Sequence, residues 1–230
     1  MDENRMQFRY GERELLLEIG DLFLAPVDVI VNPANGGLSH GGGVAGQFVE
    51  RGGEIIQQES DQFIKEHGEL ETGMVALTSA GSLPYKAVLH AVGPRMGEGD
   101  EQEKVRLAVS HSLKLCGMHG WESIAFPAIS SGVFHVPIET VARGFFHAIA
   151  SYWDARFDDP PSKVIICLTQ NNFQAFRDAF NEAANGPNEA EHQQAVSRHD
   201  EIEQETGVVS LDENEIAELE DDNDVNNWFK

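Results

Sequence analysis

The stretch from residue 27 to residue 48 constrains this chain more than any other. Val27, Val29, Ile30 and Val31 read as a buried strand, Asn32 and Asn35 stand at its carboxyl end, and a glycine-rich loop through Gly41, Gly42 and Gly43 then opens into a helix. In open α/β sheets ligands bind outside the carboxyl ends of strands, so polar side chains placed there face a crevice. Three consecutive glycines let backbone N–H groups turn toward an anion with no Cβ in the way, and the helix start behind them adds partial positive charge. Together they make a phosphate site without a lysine. A glycine run taken alone also fits a merely flexible loop; the order strand, asparagines, glycines, helix favours the site. Walker A is excluded, because no Gly-Lys-Ser/Thr follows.

Around this stretch the chain alternates strand-like and helical patterns. Residues 7–10 and 13–19 read as strands about a Gly11-Glu12 turn, and residues 44–51 and 54–67 as helices parted by Gly52 and Gly53. Ile55, Ile56, Phe63 and Ile64 supply the second helix with a buried stripe. Strands are expected at 72–78, 85–92, 123–127 and 163–169, and helices at 101–119, 138–153 and 172–184. His90, inside an apolar strand, reads as a hydrogen-bonded core residue. A second loop of small residues, 128–137, also leaves a strand end and enters a helix, and two such loops on neighbouring strand ends can clamp a diphosphate from both sides. The pattern predicts an α/β fold, a three-layer α/β/α sandwich whose N-terminal strands make the central sheet mixed.

A length of 230 residues with 41% hydrophobic residues suits one domain with a substantial core. The formal net charge of -23 argues against binding to nucleic acid or to an anionic membrane surface, both of which need clustered Lys and Arg. Cys116 and Cys167 are the only cysteines, which suits neither a disulfide framework nor a cysteine-rich zinc site. Cys116 and His119 lie one helical turn apart, but without further ligands nearby they carry no metal expectation. With no basic-then-apolar leader and no membrane-length apolar run, an intracellular protein, nuclear or cytoplasmic, is expected.

Beyond residue 186 the composition changes. Residues 187–230 hold fourteen acids against Arg198 and Lys230, about half of the net charge, and too few large apolar residues to offset the entropy of ordering. An acidic, disordered tail is expected there, following a domain at 1–186. Within it Val208, Val209 and Leu211, followed by Asp212, Glu213 and Glu215, resemble a SUMO-interacting motif: a short β-prone run able to add a strand to a basic partner's sheet edge. Four-residue patterns often arise by chance, and the alternative is a nascent helix through Leu211, Ile216 and Leu219, or plain disorder.

The segment His40-Gly41-Gly42-Gly43-Val44-Ala45-Gly46, followed by Gly52-Gly53-Glu54-Ile55-Ile56-Gln57-Gln58-Glu59-Ser60, resembles the macrodomain, the ADP-ribose-binding module. It is most similar to macrodomains of vertebrate multi-macrodomain PARP-family proteins and of coronaviruses. The likeness spans residues 13–184 through landmarks in order: Gly20-Asp21, Asn32 to Asn35, Gly41 to Gly43, Thr72-Gly73, His90 to Pro94, and Phe126 to Phe134. It implies ADP-ribose lying across the strand ends, with adenine at Asp21 and Leu22 and its amino group donating to Asp21, although Asp21 also reads as a simple cap on the turn that follows. The diphosphate would sit between the loops around Val44 and around Ser130, Ser131, Gly132 and Val133. Asn35 would hold the distal ribose, with Phe134 beside it. Asn32, Gly41 and His40 complete the implied binding residues, His40 reading equally as a solvated loop histidine.

Two departures from the family pattern matter. Many hydrolytic macrodomains carry an acid where this chain has Ala45, and a glycine is usual where it has His135. Relatives with Gly-Val-Ala at this place nevertheless hydrolyse, holding a water between the glycine loop and the substrate phosphate. The aromatic that stacks on adenine in many members has no clear counterpart; Thr169 and Phe173 are the candidates. The implied activity is removal of one ADP-ribose from a carboxylate side chain of a modified protein. Asn35 orients the ribose, Gly42 and Gly43 position water, and Phe134 holds the anomeric carbon. The competing reading is a reader that binds ADP-ribosylated proteins and does no chemistry. Neither calls for a cofactor or a metal.

Overall fold

The structure, a computed structural model, describes residues 4–155 and 160–184. The described residues form, in chain order, β1 (Arg5–Tyr10), β2 (Arg13–Ile19), a 3-10 turn (Leu22–Leu24), β3 (Val29–Ala34), α1 (Gly43–Gly52), α2 (Ile55–His67), β4 (Val75–Thr78) and β5 (Ala87–Val92). There follow α3 (Glu101–Met118), β6 (Ser123–Pro127), α4 (Ile138–Ala155), β7 (Lys163–Leu168) and α5 (Gln170–Ala184). Residues 187–230, with Val208, Val209 and Leu211, lie outside the described residues. Among the described residues no helix is long and apolar enough to cross a membrane.

The strands join in one sheet, ordered β1-β2-β7-β6-β3-β5-β4. From β2 to β5 the pairs are parallel, while β1 and β4 run antiparallel to their neighbours. The sheet is therefore mixed at both edges, not only at the N-terminal one. A short link suffices to return β4 onto β5, where a parallel partner would need a crossover.

Alternation along the strands builds two cores. Leu15, Leu17, Val31, Leu89, Phe126 and Ile166 pack with Val109 of α3, Phe145 of α4 and Phe176 of α5. Leu16, Ile30, Val88, Ala125 and Ile165 pack with Phe48 of α1 and Ile56 of α2. Strands buried on both faces read as apolar runs, as Val29-Ile30-Val31 of β3, Ala87-Val88-Leu89 of β5 and Val164-Ile165-Ile166 of β7 do. α1 thus follows β3 onto one face while α4 follows β6 onto the other, and β3 and β6 are hydrogen-bonded neighbours. Where successive crossovers part in this way a crevice opens at the carboxyl ends of the strands.

Some expectations are corrected. Ile55 begins α2 and is 42% exposed; the helix buries Ile56 and Ser60 instead. Thr72 and Gly73 precede β4 rather than belonging to it: Gly73, at φ +96, turns the chain and donates its N–H to the Val92 carbonyl at 2.7 Å. The Cys116 thiol donates to the Trp121 carbonyl and the His119 ring stacks on Trp121, so both are absorbed in local packing.

Candidate functional site

The glycine loop leaves its backbone bare. Gly42 is the N-cap of α1, no side chain caps the helix, and its first turn holds no acid, so its first N–H groups and the positive end of its dipole stay uncompensated. A Cβ built on Gly41, Gly42 or Gly43 would meet nothing within 4 Å. Elsewhere glycine is enforced by crowding: at Gly36 a Cβ would lie 2.6 Å from the Leu70 carbonyl oxygen, and at Gly144 2.8 Å from that of Gln102. Gly43, at φ +59, has a backbone reason to be glycine. Gly42 is extended, at φ 166, and has none. What glycine at 41 and 42 preserves is open space above the backbone.

Beneath this loop lies a buried polar chain. Asn32 and His90, paired in register across β3 and β5, are both fully buried, and His40 is 8% exposed. The Asn32 Nδ2 group lies 3.1 Å from His40 Nδ1 and 3.0 Å from His90 Nδ1. Its two hydrogens serve the two imidazoles, so each ring carries its own proton on Nε2. His90 Nε2–H then donates to Thr78 Oγ1, whose hydroxyl donates to the Ser79 carbonyl. His40 Nε2–H donates to Ser60 Oγ, whose hydroxyl donates to the Ile56 carbonyl. Burial lowers the pKa of His90 to about 3, helped by the neighbouring His40, and burial lowers that of His40 against the opposing charge of Asp61. Both rings are neutral. Asn32 Oδ1 is buried without a partner.

This corrects two residues. Asn32 does not face the crevice: like Ile30 it points to the α1 and α2 side, and it supports the loop from below. His40 is neither solvated nor free to meet a ribose, because both ring nitrogens are engaged in the interior. Gln57 of α2, which carried no sequence expectation, grips the same loop from outside, its Nε2 donating to the Leu38 carbonyl while its Oε1 accepts from His40 N–H. The signal for it was faint: Gln57 and Ser60 sit three apart, next to the buried stripe.

Asn35 remains at the rim. Its Nδ2 donates to the Ser39 carbonyl at 2.9 Å and its Oδ1 accepts from Ser39 N–H at 3.3 Å, with the Ser39 hydroxyl 3.2 Å from Nδ2 and 3.5 Å from Oδ1, a bridge across the loop.

The second loop is held differently. Ser130 and His135 both adopt positive φ, 69 and 57, and Val136 N–H donates to the Ser130 carbonyl while His135 N–H donates to that of Gly132. Gly93, after β5, presses against it: a Cβ there would stand 2.1 Å from Ser130 Oγ and 2.4 Å from Ile129 Cγ2. Ser130 Oγ is buried and unpartnered; Ser131 Oγ donates to the Ala128 carbonyl and accepts from Asn172 of α5. Gly132 stands in open space and Val133 is 77% exposed. Phe134 lies under Arg95, whose guanidinium carbon is 4.3 Å from the ring centroid, and its carbonyl accepts from Met96 N–H.

At the far end, Asp21 caps the 3-10 turn by accepting from Phe23 N–H at 3.0 Å, and its other oxygen accepts from Arg51 Nη1 at 2.9 Å. Partial burial pushes its carboxyl up, but these two donors outweigh it and hold the pKa below the usual range. Leu22 is buried. Phe173 is 4% exposed, packed in the core, while Thr169 is exposed. A separate hollow of about 510 Å³ opens at the amino ends of the strands, lined by Phe23, Leu24, Pro26, Asp28, Tyr85 and Ser123, and no glycine-loop residue borders it. Among the described residues no three His, Cys, Asp or Glu converge as metal ligands would.

Comparison with known proteins agrees with this fold. The Macro domain family model matches residues 31–145. An O-acetyl-ADP-ribose deacetylase of Cronobacter sakazakii is 36% identical over 160 residues, covering 69% of this chain and 88% of the relative. Human protein mono-ADP-ribosyltransferase PARP14 is 37% identical over 170 residues, 72% of this chain but 9% of that much longer protein. The Oceanobacillus iheyensis macrodomain with ADP superposes with a TM-score of 0.74 at 26% identity, over 80% of this chain and 98% of that one.

Proposed function

Since the chain belongs to the macro domain family, we propose that it binds ADP-ribose across the crevice between its two loops and hydrolyses single ADP-ribose groups from carboxylate side chains of modified proteins. The observation that carries this reading is the open space over Gly41 and Gly42 at an uncapped helix start, with Gly132 of the second loop equally open. A diphosphate there replaces missing caps with charge-assisted hydrogen bonds. The solved relative with ADP and the deacetylase named for an ester of ADP-ribose support the ligand and the ester chemistry.

In the reaction, Asn35 orients the distal ribose and the backbone at Gly42 and Gly43 positions a water. The water oxygen bonds to the anomeric carbon as the bond to the side-chain carboxylate breaks, and a substrate phosphate oxygen takes the water's proton. A carboxylate with a pKa near 4 leaves without a general acid. The buried His40 and His90 and the methyl of Ala45 offer no general base beside the glycine loop, so the rate rests on positioning.

A labelled, auto-mono-ADP-ribosylated acceptor incubated with the protein tests this, beside calorimetric titration with ADP-ribose. Label is expected to be released, and Asn35→Ala to slow release about 100-fold or more. Ala45 favours a second reading, a reader without chemistry. It holds if ADP-ribose binds while the label persists. Absence of both binding and release overturns the assignment of the crevice.

A further inference from the structure

Arg51 stands in the last turn of α1, near the place where the nucleobase would bind under the reading above, on which this inference rests. Its guanidinium carbon lies over the Phe23 ring, 4.4 Å from the centroid. Nη1 donates to Asp21 at 2.9 Å and Nη2 to Gln47 Oε1 at 3.2 Å. These three contacts fix one face and two edges of a planar cation. The side chain is nevertheless 41% exposed. An ion pair this open adds little to stability, so its geometry invites another explanation.

The aromatic positions that could stack on a base are closed. Phe173 is sunk in the core on the α5 side, and Thr169 has no ring. Asp21, the acceptor for a purine amino group, already holds Arg51 by one oxygen and Phe23 N–H by the other. A purine whose amino group reaches Asp21 therefore arrives beside the guanidinium. In the guanidinium plane, ring and N–H donors compete for the same carboxylate; across the plane, the ring finds a flat, weakly hydrated cation already backed by Phe23.

We infer that Arg51 is the specificity-determining stacking surface for the nucleobase, the outer layer of a stack running Phe23, Arg51, purine. It acts where an aromatic side chain acts in other binding slots, and it holds the Asp21 carboxylate in place for the amino group at the same time.

Calorimetric titration of ADP-ribose into the wild type, Arg51→Ala and Arg51→Lys tests this, together with the absorbance change of adenine near 260 nm on binding. Affinity is expected to fall about tenfold in Arg51→Ala. Arg51→Lys, which keeps the charge beside Asp21 but has no plane, is expected to recover less than half of that loss, and the absorbance change shrinks in both. Wild-type affinity in Arg51→Lys reduces the role to charge and overturns the inference, as does wild-type affinity in Arg51→Ala. A wild type that binds no ADP-ribose sinks the functional reading as well, so the two failures are told apart. The side chain is exposed and its loss leaves no cavity, so all three proteins are expected to share one melting temperature within about 2 °C.

Discussion

The two loops that flank the crevice leave adjacent strands and are held by opposite means. The glycine loop rests on polar groups: Asn32, His40, His90, Ser60 and Thr78 form one buried hydrogen-bonded chain under it. The second loop rests on steric fit and backbone strain, with Gly93 against Ser130 and two non-glycine residues at positive φ. A polar support is sensitive to protonation and tolerant of small shape changes. A steric support is the reverse. A ligand bound between them, as proposed, depends on two walls that fail under different insults.

Acid is expected to have the largest effect, and on the first wall. In the folded protein His90 titrates near 3, against 6.5 for an ordinary imidazole. Between those values the unfolded chain takes up a proton that the folded one refuses. This stability is therefore fully present above about pH 6.5 and lost as pH falls toward 3, by roughly 2 kcal/mol at pH 5 for His90 alone. His40 and His111, also lowered by burial, add to the same slope. The depressed carboxylates Asp21 and Asp28 start from 3.8 and act only in stronger acid. Urea midpoints at pH 7, 6 and 5 measure the loss, and His90→Gln is expected to reduce it to the share left to His40 and His111. A flat profile in the wild type would place the buried chain elsewhere.

A single added carbon attacks the second wall. Gly93→Ala puts a methyl within 2.4 Å of both Ser130 Oγ and Ile129 Cγ2, so the loop must shift. We expect destabilisation of about 1–3 kcal/mol, and ADP-ribose binding weakened about tenfold or more because Ser130 to Val133 move together. The slope of stability between pH 7 and 5 should stay at its wild-type value. Calorimetry and the same urea titrations decide it, and a changed slope would show that the two walls are not independent.

The smallest effect expected is a gain. His135 sits at φ 57, where a side chain is strained by about 1–2 kcal/mol and glycine is not. After the entropy that glycine gives up, His135→Gly should stabilise by about 0.5–1 kcal/mol, read as a raised melting temperature. A fall in melting temperature would mean that the imidazole makes up for its backbone.

Much of this was legible in the sequence because parallel strands buried on both faces announce themselves, and because both loops carry small residues after such strands. Asn32 was misjudged for a physical reason. A polar residue at a strand end looks the same whether it faces the crevice or the interior; only its parity with Ile30, and His90 opposite it in register, separate the two. The position of β4 was blurred by Gly73, whose turn is fixed by packing against Leu107 of α3 and by the Val92 carbonyl. Arg51 was invisible, since its partner Asp21 is thirty residues away and Phe23 reaches it only through the fold.

The direction of the hydrogens under the glycine loop has one more consequence. They point outward from Asn32 on both sides, through His90 and Thr78 to the Ser79 carbonyl and through His40 and Ser60 to the Ile56 carbonyl. A relay that passes protons along a chain needs every donor facing the same way. Here the arrow reverses at an amide that neither gives up nor accepts a proton near neutral pH. Two imidazoles 5.0 Å apart, close beneath the glycine loop, are thereby insulated from acid–base traffic with the crevice and from each other.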